Sequence, residues 1–235
     1  MNLVLLEDAD LQGPGHARLE GRRFIHVRDV HRAEPGKVLK VGLLGGPVGQ
    51  GRVRDLGEDH LELDFALHTP PPPKLPFTLL VALPRPKVLN RLVASATSLG
   101  VARLVLLNAW RVEKSYWRSP RLEPENLRAQ MLLGLEQAGD TVLPELRLAR
   151  LFLPFVEREL PALAAGSRRL LAHPGAGAEC PRQVEGPATL ALGPEGGWID
   201  AELASFARAG FEPVALGPRV LRTETAVAAL VGRLA

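Results

Sequence analysis

From residue 77 to the end of the chain, short apolar runs alternate with stretches whose apolar residues recur at helical spacing. The runs fall at 77–83, 103–107, 146–148, 169–172, 188–192 and 213–216, and read as strands. Between them, Pro86 opens a stretch in which Val88, Leu92, Ala96 and Leu99 repeat at helical intervals until Gly100. Further helices are expected over 124–138, 152–163, 201–209 (stopped by Gly210) and 223–234, with Thr223 at the N-cap. A strand followed by a helix returns to the same sheet as a parallel neighbour, so this alternation predicts a mostly parallel sheet with helices on its faces. Residues 108–120 stand apart as a loop rich in arginine and aromatic side chains.

The first 69 residues follow a different pattern. Strands are expected at 1–6, 23–30, 37–44, 50–56 and 59–67. The last two form a hairpin through Gly57-Glu58, and Gly45-Gly46-Pro47 makes a turn. Short strands with frequent glycine turns suggest a small barrel. Pro70 to Pro73 is an unbroken proline run, which fits neither a helix interior nor a central strand and reads as a stiff linker. The expected division is therefore 1–69 and 70–235.

The 235 residues hold one cysteine, Cys180, which excludes an intrachain disulfide and a cysteine-cluster metal site and fits a reducing cytoplasm. The acidic first ten residues do not read as a secretion signal, and no apolar run nears the about 20 residues of a membrane span. A net charge of +3 conceals two basic segments. One runs from His16 to Lys40 and includes Arg18, Arg22, Arg23 and Arg28; the other runs from Pro84 to Arg128 and includes Arg85, Lys87, Arg111, Lys114 and Arg118. Segments of this kind are either solvated surface or the footprint of a polyanion. Tyr116 and Trp117 lie inside the second one, and aromatics among cations favour RNA, whose unpaired bases stack on such rings.

Three expected strands end in glycine or proline loops: after Ala172, after Leu192 and after Leu216. In open parallel sheets ligands bind beyond the carboxyl ends of the strands, so neighbouring strands would bring these loops to one nucleotide-sized pocket. No Gly-x-Gly-x-x-Gly, Walker loop or Gly-x-Ser-x-Gly is present. Glu195, between Pro194 and two glycines, either accepts N–H bonds within its own loop or holds a ligand. Arg219, Arg222 and Glu224 either form a structural bridge or position an anionic ligand. His173 is the only histidine after residue 70, which speaks against a histidine metal site. Trp198 is either a cap over the pocket or core.

The segments Leu192-Gly193-Pro194-Glu195-Gly196-Gly197 and Leu216-Gly217-Pro218-Arg219-Val220-Leu221-Arg222-Thr223-Glu224-Thr225-Ala226 resemble the signature of the bacterial 16S ribosomal RNA uridine N3-methyltransferase family, the small-subunit methyltransferase E group of the SPOUT superfamily. Pro84-Arg85-Pro86-Lys87, Glu136-Gln137 and Arg22-Arg23-Phe24 with His26 extend the resemblance; Ser98 and Asp140 depart from it. The resemblance implies an α/β protein with an N-terminal PUA- or OB-like β-barrel that binds RNA and a C-terminal SPOUT domain with a trefoil knot. It implies S-adenosylmethionine as cofactor, no metal, a cytoplasmic homodimer, and the small ribosomal subunit as partner. Carried over by motif, the cofactor would be held by Leu171, Ala172, His173, Leu192, Gly193, Pro194, Glu195, Gly196, Gly197, Leu216, Gly217, Val220, Leu221 and Ala226. Arg219, Arg222 and Glu224 would be catalytic: a cation beside the uracil oxygens favours the anion left when N3 loses its proton.

Three other readings compete, of which a small-molecule nucleotide enzyme would leave the two basic segments unexplained. A ribose 2′-O-methyltransferase of the same superfamily would carry Asn where Pro194 stands. A non-catalytic RNA-binding assembly factor would have little reason to retain the glycines of both loops.

Overall fold

The computed structural model describes residues 2–235, which divide into two compact units, 2–73 with Leu132–Leu143 and Lys74–Met131 with Pro144–Ala235.

The first unit carries a six-stranded sheet. Its strands are β1 (Val4–Leu6), β2 (Leu11–Gly13), β3 (His16–Glu20), β4 (Val38–Leu43), β5 (Val48–Leu56) and β6 (His60–Thr69), in the order β1-β4-β5-β6-β3-β2. Only the β1–β4 pair is parallel. The hairpin read through Gly57-Glu58 is present, with Leu56 opposite Leu61. Leu19, Val41, Val53, Leu61 and Leu63 alternate inward to form the core.

Residues 23–30, expected as a strand, are helical: α1 spans Gly21–Asp29. The apparent alternation is the weaker of two periods. Phe24 and Val27, three apart, are buried, while Ile25 is 49% exposed, which is helical and not strand phasing. The sequence analysis places no strand at β2 or β3: β2 is three residues long with none buried, and β3 alternates, with Ala17 and Leu19 inward, over only five residues.

Residues 132–143 belong to the first unit through specific bonds. The amides of Asn2 and Leu3 donate to the Glu136 carbonyl at 2.9 and 3.0 Å. The Glu136 side chain is 2% exposed and takes both guanidinium nitrogens of Arg22, at 2.9 and 2.7 Å. Leu135 packs with Leu3, Leu5 and Val48.

The second unit is built on a wholly parallel sheet of β7 (Leu75–Ala82), β8 (Val101–Leu107), β9 (Glu145–Ala149), β10 (Arg168–Ala172), β11 (Ala188–Leu192) and β12 (Glu212–Val214), in the order β12-β10-β11-β7-β8-β9. The chain starts in the middle at β7, builds outward to β9, then crosses to the other side. Every residue of β11 is buried, as expected for a strand covered on both faces. Helix α2 (Pro86–Ser98) begins with its proline in the first turn and ends before Gly100, whose φ of +76° suits glycine. Helix α3 spans Pro124–Ala138. The stretch 152–163 is one helical run with a π-turn at Phe155–Glu159, where the Leu160 amide reaches back to the Phe155 carbonyl. Pro161 has no N–H to continue an ordinary ladder there. The last two helices are Asp200–Arg208 and Thr223–Leu234. Thr223 is the first residue of the final helix and not its cap; Arg222 holds the cap position without a side-chain bond. No helix among the described residues is long and apolar enough to cross a membrane.

A Cβ at Gly49 in β5 would lie 1.9 Å from the Ala66 carbonyl oxygen of the paired strand. That oxygen is backbone in a sheet core and cannot swing aside. Gly49→Ala is expected to destabilise the protein by at least the ~1–3 kcal/mol of an overpacked core, read as a lower midpoint in chemical denaturation.

Candidate active site

Strands β12, β10 and β11 are neighbours and run in the same direction, so their carboxyl ends and following loops meet. The loops enclose a cavity of ≈ 340 Å³. The loop after β10 contributes Ala172 and His173; that after β11 contributes Leu192, Gly193, Pro194, Glu195 and Gly197. The stretch after β12 contributes Leu216, Gly217, Arg219, Val220, Leu221 and Arg222, and the final helix adds Ala226. Three sequence-derived residues do not line it. Leu171 is 3% exposed and sits in the core of the sheet. Gly196 faces a second cavity, and Glu224 lines neither.

The loop after β11 is held by contacts that motif reading did not supply. Glu202 is 4% exposed, and its two oxygens accept the backbone N–H of Trp110 at 2.7 Å and of Ile199 at 3.0 Å. The Arg111 guanidinium donates to the Gly196 carbonyl. Trp198 is buried against Phe206 and Phe152. A Cβ on Gly193 would come within 3.1 Å of the Trp198 indole nitrogen, so a larger residue here would crowd the ring. Gly197, at φ +75°, takes the turn that follows.

Charge is distributed unevenly around this cavity. Arg219 and Arg222 line it, and neither guanidinium has a carboxylate partner among the described residues. Glu224, grouped with them by sequence, instead accepts from Arg91 of α2 at 2.7 Å, its side chain 16% exposed. A backbone N–H in the first turn of the helix holds its carboxyl below the ordinary value against the opposing effect of burial, and Arg91 and then Arg222 lower it further. Arg91 was not singled out from sequence, since nothing local links residues 133 apart. His173 lies at the cavity edge, and its amide donates to the Val214 carbonyl at 3.0 Å, which ties β10 to β12. Trp198, read from the sequence as either a cap over the pocket or core, lines the cavity and is buried. Also in the lining, and not singled out from the sequence, are Pro174, Val214, Ala215, Thr223 and Leu230. The last three of these are recoverable from helical or strand phase once the neighbouring elements are known.

A second cavity of ≈ 300 Å³ lies on the other side of Pro194 and Glu195, which line both. Arg85, Arg111, Glu113 and Tyr116 form the rest of its polar wall. Arg85 Nε meets Glu195 Oε2 at 2.5 Å, and this carboxylate is the main reason its guanidinium holds its proton more tightly than usual.

The remaining cations divide by what they touch. In the first unit Arg23 spends both terminal nitrogens on Asp10 and the Leu5 carbonyl, Arg22 is fixed on Glu136, Arg18 pairs with Glu20, and Arg28 pairs with Asp29 over the Phe24 ring. In the second unit Lys87, Lys114 and Arg118 are exposed and have no side-chain partner among the described residues.

An RNA methyltransferase domain family matches residues 71–235. The chain is 29% identical over 97% of its length, and 88% of the relative's, to ribosomal RNA small subunit methyltransferase E of Treponema pallidum. It is 30% identical over 86% of its length, and 66% of the relative's, to the protein of that name from Synechocystis. The structure of ribosomal RNA small subunit methyltransferase E from Neisseria gonorrhoeae, bound to S-adenosyl methionine, superposes with a TM-score of 0.74, covering 98% of this chain and 95% of that one at 20% identity. At that identity the likeness concerns the fold.

The Glu224–Arg91 pair has a direct test. In an NMR titration of carboxyl-labelled protein, Glu224 is expected to titrate below its ordinary 4.5. Arg91→Ala should move it part of the way back, because the backbone N–H remains. An unchanged titration would mean that the pair does not form in solution.

Proposed function

Because the chain belongs to the RNA methyltransferase domain family, we propose that it transfers a methyl group from S-adenosylmethionine to N3 of a uridine in the 16S RNA of the small ribosomal subunit. The observation that carries this reading is the cavity where the loops after β10, β11 and β12 meet. Its residues suit the cofactor. Leu192, Leu216, Leu221 and Leu230 supply apolar wall for a nucleoside, and the buried Trp198 indole N–H, without a protein partner among the described residues, is a donor left for a ligand. Gly193 passes the Trp198 ring where a Cβ would crowd it, and Gly217, at φ +130°, takes a conformation that suits glycine.

Bound there, S-adenosylmethionine supplies a methyl group already activated on a sulfonium. The chain's own task is to hold the acceptor in line and to manage charge. Uridine N3 carries a proton and becomes an effective nucleophile as that proton leaves, when negative charge spreads to the uracil oxygens. Arg219 and Arg222, the unpaired cations of the cavity, are assigned to the carboxylate of the donor within it and to the charge growing on a uracil held beside it. Glu224 fastens the start of the final helix to α2 through Arg91, which positions Arg222 next to it. It is thus a positioning residue and not the proton acceptor.

N3 lies on the Watson–Crick edge, so the target base must be unpaired or turned out. Lys87, Lys114 and Arg118 are offered to the phosphate backbone, with Arg85 and Arg111 nearer the cavities. The N-terminal sheet is read as a barrel-like RNA-binding domain over residues 1–69, with Arg18 and Arg28 contributing through exposed pairs that phosphate can displace. Arg22 and Arg23 are better read as its internal fastenings. The second domain, 70–235, is read as a knotted SPOUT domain. In support, residues 178–184 run beside β12 and the end of the final helix: Cys180 donates to the Ala215 carbonyl and Val184 to that of Leu234. A cytoplasmic homodimer acting on the assembled subunit completes the reading.

The test is a transfer assay with labelled S-adenosylmethionine and small subunits lacking the modification, followed by nucleoside mass spectrometry. The expected product is 3-methyluridine. A 2′-O-methyl product, or cofactor binding without transfer to any ribosomal RNA, would overturn the acceptor assignment. Arg222→Ala is expected to lower the transfer rate by about 10²-fold, the usual effect of removing one charge-stabilising donor, with cofactor affinity changing less.

A further inference from the structure

The second cavity has a wall unlike the first. Tyr116 is half-buried in it, and burial, followed by the neighbouring Glu113, raises its phenol above the ordinary value. Two cations, Arg85 and Arg111, face two carboxylates, Glu113 and Glu195, so the cavity is balanced in charge. A phosphate would meet as much repulsion as attraction there; a neutral ring with donors and acceptors on its edge would not. At ≈ 300 Å³ it sits at the lower end of the ~300–1,000 Å³ of small-molecule sites. It shares Pro194 and Glu195 with the first cavity, so a ring held in one lies beside a ligand held in the other.

We propose that this second cavity receives the base of the acceptor nucleotide and reads it as uracil. The inference rests on the RNA methyltransferase reading above. Tyr116 offers a face for stacking. Arg85 and Glu195 present a donor and an acceptor side by side, 2.5 Å apart. The Watson–Crick edge of uracil is their complement: O4 and O2 accept, and N3–H donates. Cytosine reverses the pattern at position 4 and at N3, offering an N4–H₂ donor and a bare N3. Arg85 would then face an amine and Glu195 a lone pair. The Arg85–Glu195 pair is open to solvent, with side chains 65% and 40% exposed, and exposed pairs separate at little cost. The two groups can therefore turn from each other to the base. Arg111, through its bond to the Gly196 carbonyl, keeps the shared wall in place. Phosphates on either side of the base would meet Lys87, Lys114 and Arg118, which have no acid to compete with among the described residues.

The experiment is a titration of the full-length protein with two fluorescent RNA pentamers, adenosines with a central uridine or a central cytidine. Cofactor affinity is measured in parallel by calorimetry. The uridine pentamer is expected to bind about tenfold more tightly than the cytidine one, as for one well-made pair of base-edge bonds. Tyr116→Ala and Arg85→Ala should each lose about tenfold in uridine-pentamer affinity, and Tyr116→Phe should keep it. Glu195→Gln should collapse the preference for uridine, because an amide can both donate and accept. Neither Tyr116 nor Arg85 lines the first cavity, so their variants should still bind cofactor normally, which also reports that they fold. Equal binding of the two pentamers to the unaltered protein, or no response to Tyr116→Ala and Arg85→Ala, would overturn the proposal. Preference for uridine without any cofactor binding would sustain this site and sink the methyltransferase reading.

Discussion

The arrangement of the candidate site depends on one buried carboxylate. Glu202 sits in the first turn of the helix Asp200–Arg208, 4% exposed, and accepts backbone N–H bonds from Trp110 and Ile199. A carboxylate out of water is stable only when its oxygens are satisfied. Here they are satisfied by two loops distant in sequence, one after β8 and one after β11. The consequence is geometric. Once Trp110 is fixed, Arg111 beside it falls within reach of the Gly196 carbonyl, and the wall between the two cavities is pinned from outside. Trp110 itself remains 79% exposed, so it is the backbone at this position, and not the ring, that is anchored in the fold.

Pairing sorts the arginines into different kinds. Arg22 on the buried Glu136 and Arg23 on Asp10 are fixed in bidentate geometry, and their removal would leave a buried carboxylate without its partner. Arg91 on Glu224 and Arg85 on Glu195 are bridges with one or both ends in solvent, strong enough to orient and weak enough to exchange. Arg219 and Arg222 have no such partner and lie in the cavity lining. Their positive charge is left for whatever enters. Composition shows only the sum of these classes.

The order of the parallel sheet does the rest. The chain reverses direction of growth at β7, so the strands added last, β10, β11 and β12, lie together on one side. Their following loops are therefore neighbours, although they are separated by up to forty-odd residues of sequence. Parallel strands place all three loops at the same end; Gly193 lies where a Cβ would crowd the Trp198 ring, and Gly197 and Gly217 take positive φ angles that suit glycine.

The sequence by itself determined the class of the second unit and the position of its elements. Strand β11 and helices α2 and α3 were legible because long apolar periods are local properties of the chain. The two glycine-rich motifs located most of the cavity lining, because the close approach at Gly193 and the positive φ at Gly197 and Gly217 are properties of single residues. Where the period was short or ambiguous the reading failed, as at α1, where Phe24 and Val27 pack three apart in a stretch that also alternates. Contacts at long range were out of reach altogether. That Glu224 meets Arg91 and not Arg222, that Glu202 holds Trp110, and that Arg23 is consumed by Asp10 were decided by the tertiary structure alone. The physical reason is that a charge does not encode its partner. Partners are chosen by which side chains the folded backbone brings within about 3 Å of each other and removes from water.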